Sequence, residues 1–135
     1  MTHFATTVLP AAATELAPDG CEVRVLLGVP GGTMAHFELA AGQVARAVRH
    51  RTVEEIWYVL GGTGELWRSR DGIEEIVRLE AGVCATIPCG TAFQFRALPA
   101  NSVAVLAVTM PPWPGAEEAE LLAGPWQIDP ESGPD

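Results

Sequence analysis

Two residues in the stretch VRHRTVEEIWYVLGG, residues 48–62, are suited to chemistry by type and spacing: His50 and Glu55. A histidine takes and returns a proton near neutral pH, and a carboxylate beside it steadies the protonated ring. Together they make a general base and its orienting partner. Both are also metal ligands in type. Two ligands make a poor transition-metal site, because a catalytic zinc normally holds three protein ligands plus water. The plain structural alternative is a histidine at a strand end beside a surface glutamate.

Short apolar segments between turn signals position this pair. Asp19-Gly20 closes an Ala/Thr/Pro-rich opening stretch that reads as a loose arm. Then come EVRVLLGV (22–29), TMAHFELA (33–40), QVARAVRH (43–50) and EIWYVL (55–60), the last broken by Gly61-Gly62. GELWRSR (64–70) and IEEIVRL (73–79) flank Asp71-Gly72, the strongest hairpin signal in the chain. VCATI (83–87), AFQFRA (92–97) and VAVLAVT (103–109) follow. Regular short strands with turns between them, and no alternation of strand and helix, indicate a β-sandwich or barrel. MPPWPG (110–115) cannot continue a sheet, since proline lacks the ladder donor, so it should cross the barrel as an arm. AEEAELLA (116–123) is the one candidate helix, with Glu117, Glu118 and Glu120 on a solvated face, and the polar tail from Asp129 reads as mobile.

Strand alternation surrounds the pair with a lining. Val44, Arg46 and Val48 share a face with His50, Trp57 and Val59 with Glu55, and Phe95 with Phe93. Val48, Trp57, Phe93 and Phe95 would form an apolar pocket, or simply fill a small barrel. Arg46 is a candidate for a ligand carboxylate or enolate. Trp67 and Tyr58 would reach a ligand or pack at an interface. Trp113, between prolines, would either lie across the mouth or pack on the outer sheet, the second being the expectation. His36 alternates with Phe37 and should be exposed; His3 falls in the opening arm.

Composition excludes several functions. The 135-residue chain carries a net charge of −9 and no lysine, so nucleic acid and anionic membranes are disfavoured and a lysine Schiff base is impossible. Cys21, Cys84 and Cys89 form no C-x-x-C pair, and the opening residues lack a secretory pattern. A cytoplasmic protein with reduced thiols is expected.

With these frames in view, the chain resembles the cupins, small jelly-roll barrels. The family's first motif, G-x5-H-x-H-x3,4-E-x6-G, fits from Gly42 through Val48, His50 and Glu55 to Gly62. The second, G-x5-P-x-G-x2-H-x3-N, fits from Gly82 through Pro88, Gly90 and Phe93 to Ala97. Val48 and Phe93 therefore stand where the family has histidines. Of the metal ligands that the resemblance implies, only His50 and Glu55 survive.

The resemblance implies an all-β cupin jelly-roll β-barrel with a short C-terminal helix and arm: an arm over 1–21, the barrel over 22–110, and a C-terminal arm, helix and tail over 111–135. It implies a small-molecule ligand, apolar or aromatic with a carbonyl or carboxylate, and a homodimer. Three functions stay open. One is an enzyme of isomerase, cyclase or lyase type with His50 and Glu55 catalytic and no cofactor expected. Another is a dioxygenase or isomerase with a divalent metal weakly held by His50 and Glu55. The third is a non-catalytic binder or sensor.

Overall fold

β-branched and aromatic residues in period-two stretches build an almost entirely β structure. The computed structural model describes residues 4–128; His3 and the tail from Asp129 lie outside the described residues. Ten strands form among the described residues: β1 Glu15–Leu16, β2 Glu22–Val29, β3 Gly32–Leu39, β4 Val48–His50, β5 Glu54–Arg70, β6 Ile73–Glu80, β7 Cys84–Ile87, β8 Ala92–Ala97, β9 Val103–Met110 and β10 Ala119–Leu121. All pair antiparallel, in the order β1-β2-β3-β9-β5-β8-β4-β10, with β6 and β7 also on β5. This curled sheet is the jelly roll.

β5 joins its two halves. Residues 54–62 pair with β9, and residues 63–70 with β6 and β8. The sequence signals at Gly61-Gly62 read as a break between two strands; the structure instead keeps one strand of 17 residues, with a bulge between Val59 and Gly61. Gly62 makes this possible. Its φ is +84°, and a Cβ there would lie 1.7 Å from the Ser102 carbonyl oxygen, so only glycine lets the strand turn the corner against β9. The Asp71-Gly72 hairpin forms as expected, with Arg70 opposite Ile73 and both turn residues at positive φ.

The core lies between the sheet halves. Val103, Val105 and Ala107 of β9 face it with Leu39, Val59, Leu66, Leu79 and Phe95. Trp57 anchors the cluster, its ring edge-on to Phe95 at 5.0 Å and to Phe93 at 5.9 Å. Such pairs add about 0.5–1.5 kcal/mol each beyond area burial.

Four local expectations fail. The expected strand 43–50 is regular only at Val48–His50; Ala45 and Ala47 are buried as well as Val48, so the alternation breaks before β4 and Arg46 does not share the His50 face. The expected helix 116–123 is a single 3-10 turn, Ala116–Glu118, leading into β10, because Ala119–Leu121 pair with β4. Glu118 is not solvated: it is 5% exposed and accepts the Thr52 and Val53 amide hydrogens and the Thr52 hydroxyl. His36 is buried rather than exposed. Its cross-strand neighbour Arg24 binds the carbonyls of Pro10 and Ala11, which fastens the N-terminal arm over that face. Burial, then the nearby guanidinium, holds the His36 imidazole below the usual histidine range.

Candidate active site

His50 ends β4 and Glu55 lies near the start of β5, joined by the short Arg51–Val53 turn. Both face inward, 6% and 3% exposed. Nδ1 of His50 lies 2.9 Å from Oε2 of Glu55. The alignment falls short of a directed hydrogen bond, so this is a contact of charge and proximity. The other carboxylate oxygen, Oε1, accepts the indole N–H of Trp57 at 2.9 Å, which fixes the carboxylate between the two rings. An anion beside Nδ1 favours the tautomer with the proton there, leaving the lone pair on Nε2.

Val48 and Phe93 are direct cross-strand partners on β4 and β8, and both converge with His50 and Glu55 on one cavity. The His50 ring is held edge-on by Phe93 and by Trp113, each with centroids 5.2 Å away. The cavity measures about 380 Å³, enough for a small organic molecule. Trp57, Phe37 and Val23 add apolar wall, and Thr33 and Thr109 add hydroxyls. Those hydroxyls lie 2.5 Å apart, and Thr33 Oγ1 also accepts the Trp113 amide hydrogen at 3.2 Å.

Trp113 therefore does not pack on the outer sheet: the Pro-rich arm carries it over the cavity. Five residues further along, Glu118 anchors the same arm by three hydrogen bonds to the turn that follows His50. Burial works against its charge, but the Thr52 hydroxyl and the Thr52 and Val53 amides outweigh burial and hold its carboxyl below the usual range.

In the sequence Asp19 marks only a turn. It lines the cavity and is 9% exposed. Oδ1 accepts the Cys21 amide hydrogen at 3.1 Å, and the Asp19 carbonyl accepts the Arg46 amide hydrogen at 2.7 Å. Burial raises its carboxyl above the usual range and Glu55 adds to this; the Cys21 hydrogen bond and His50 oppose it. Burial, with Asp19 and Glu55 nearby, pushes the Cys21 thiol well up, so it is inert as a nucleophile.

The remaining candidates lie elsewhere. Phe95 is sealed behind Trp57 in the core. Trp67 belongs to a separate cluster with Ala47, Ala92, Leu122 and Trp126 and donates its indole N–H to Glu74. Arg46 is not among the cavity-lining residues. Cys84 is exposed, while Cys89 points its thiol at the Arg51 carbonyl.

The donor set does not fit a metal centre of the kind the cupin motif implies. Val48 and Phe93 offer no donor atom, and among the described residues no three His, Cys, Asp or Glu side chains are grouped to hold an ion.

These features define a single-domain barrel with an internal cavity, and the comparisons agree on the fold. The cupin domain family matches residues 35–109, so the chain belongs to the cupins. No curated protein sequence matches it. Among solved structures, a single-substitution variant of Streptomyces PAC13 with uridine superposes with a TM-score of 0.68 at 19% identity, covering 90% of this chain and 92% of that one. A predicted oxalate decarboxylase from Thermotoga maritima gives 0.63 at 20% identity, over 77% and 98%. KdgF from Halomonas gives 0.56 at 22%, over 67% and 80%. At these identities the likeness is one of fold.

Proposed function

We propose that this cupin binds a small, largely apolar or aromatic carbonyl compound and moves a proton next to its carbonyl, in an isomerase-, cyclase- or lyase-type reaction that requires no tightly bound metal. The observation that carries this reading is the Nδ1–Oε2 contact of 2.9 Å at the bottom of an aromatic-walled cavity. Glu55 orients the ring, Nε2 is the base, and Trp113 with Phe93 keeps the ring from turning. The Thr33 and Thr109 hydroxyls line the same cavity and offer it polar contacts, which supports a ligand oxygen there. That PAC13 has been solved with uridine supports small-molecule binding in a barrel of this outline.

The test is a tryptophan-fluorescence screen of neutral ketones, aldehydes and nucleosides, with each hit then assayed for conversion. Turnover that disappears in His50→Ala supports the reading. Binding without turnover, unchanged in His50→Ala, would make the protein a non-catalytic binder instead.

The outer face of the sheet supports the homodimer reading. Ile56, Tyr58 and Leu60 of β5 are exposed and continue across to Leu106 and Val108 of β9. We place a second copy on this face. Among the described residues no helix is long and apolar enough to cross a membrane, and three free thiols suit a reducing cytoplasm.

A further inference from the structure

Among the described residues, the cavity is lined by three carboxyl side chains and by no arginine. The carboxyls run along its depth: Glu15 on β1 is exposed, Asp19 is 9% exposed and Glu55 is 3% exposed. They come from the N-terminal arm and from β5, so the arrangement is made by the fold and not by one acidic run. The chain contains no lysine, Arg46 and Arg49 do not line the cavity, and the other arginines are engaged elsewhere. Arg24, Arg68, Arg70, Arg78 and Arg96 each pair with an acidic side chain. Arg51, next to His50 in sequence, is exposed and donates Nε to the Glu117 carbonyl.

From this we infer that the cavity selects its ligand by charge: it takes uncharged small molecules and rejects carboxylates and phosphates, with Asp19 as the residue that enforces the selection beside the His50–Glu55 pair. The inference rests on the proposed small-molecule reading and decides between the carbonyl and the carboxylate that the sequence left open. A carboxylate or phosphate entering here would lose its water without gaining a guanidinium or ammonium partner, and would sit against carboxyl groups in a low-dielectric site. Only one Asp19 oxygen is tied down, by the Cys21 amide; the other has no hydrogen bond among the described residues and is not sealed in the interior. Its turn is fixed at three points: the Arg46 amide on the Asp19 carbonyl, the Gly20 amide on the Ala17 carbonyl, and the Ala17 amide on the Cys21 carbonyl. The turn keeps the Asp19 backbone at the cavity wall, and the Cys21 amide holds one carboxyl oxygen there.

The test uses two probes that share one ring system, anilinonaphthalene and its anionic sulfonate. Binding is read by energy transfer from the tryptophans, and competition between the probes shows whether they share the cavity. The neutral probe should bind about tenfold or more tighter than the sulfonate in the cavity. Asp19→Asn, which keeps the acceptor for the Cys21 amide, should narrow that gap. Glu15→Gln, on an exposed strand, provides a second variant if Asp19→Asn folds poorly. Equal, mutually competing affinities would overturn the charge selection while leaving the binding cavity intact. A gap unmoved by either variant would overturn the assignment to these carboxyls. Failure of both probes to bind would overturn the small-molecule reading itself, and the inference with it.

Discussion

Trp113 stands edge-on to His50, with centroids 5.2 Å apart and planes at 68°. A residue from the C-terminal arm thus completes a cavity whose His50–Glu55 pair comes from β4 and β5. Trp113→Ala should remove both the ring contact and part of the cavity wall. Stability should fall by about 1–2 kcal/mol, and ligand affinity should fall more than thermal stability suggests. Urea denaturation and fluorescence titration, run side by side, separate the two effects.

Glu55 holds two partners at once, so its amide variant is informative. In Glu55→Gln the Trp57 indole keeps an oxygen acceptor, but Nδ1 of His50 loses its anion and the other tautomer becomes competitive. Turnover should drop by about tenfold or more, against about 10²–10⁴-fold for His50→Ala, with binding nearly unchanged in both. A Glu55→Gln enzyme of wild-type rate would remove Glu55 from the mechanism.

Glu118 ties the C-terminal arm to Thr52 and Val53. Glu118→Gln should cost about 2–3 kcal/mol, the scale of hydrogen bonds to a buried charged acceptor. The sign of the pH effect follows from its lowered carboxyl. The stabilisation is fully present above the ordinary value of 4.5 and is lost as pH falls through the lower folded value. The gap between wild type and Glu118→Gln in urea midpoints should therefore be constant at neutral pH and close in acid.

Gly62 admits no side chain, since an added Cβ would overlap the Ser102 carbonyl. Gly62→Ala should destabilise the protein by about 3 kcal/mol or more, measured by thermal unfolding. Gly61→Ala, where a Cβ would meet nothing within 4 Å, is the matched control and should be far milder.

The apolar outer face of β5 and β9 predicts a dimer by light scattering. Tyr58→Glu, on a side chain 48% exposed in a single copy, should yield a folded monomer. A wild-type monomer at all concentrations would remove the second copy from the account.

Most of the barrel was legible because its signals are local. The alternation along 103–109, the Asp71-Gly72 turn and the glycine frames around His50 and Phe93 each depend on a few neighbouring residues, and Val48 does face Phe93 across the β4–β8 ladder. The parts that escaped depend on where the arms dock. Asp19 reads as a turn aspartate until the arm's turn packs against the β4 segment. The glutamates at 117, 118 and 120 read as a helix face, because nothing local marks Glu118 as the partner of two distant amides. Thr109 did leave a trace: it is the polar end of an inward stripe that is otherwise Val103, Val105 and Ala107. Trp113 was visible as a candidate lid, but its position depends on the Thr33 hydroxyl that receives its amide.

The central claim is that His50, oriented by Glu55, moves a proton next to a carbonyl without a bound metal. Proton magnetic resonance in deuterated buffer tests it most directly, following a neutral carbonyl ligand from the fluorescence screen with chelator-treated protein. The account predicts deuterium entering the ligand beside its carbonyl with wild-type protein and not with His50→Ala. Exchange that persists in His50→Ala, or that requires metal to be restored, would contradict it.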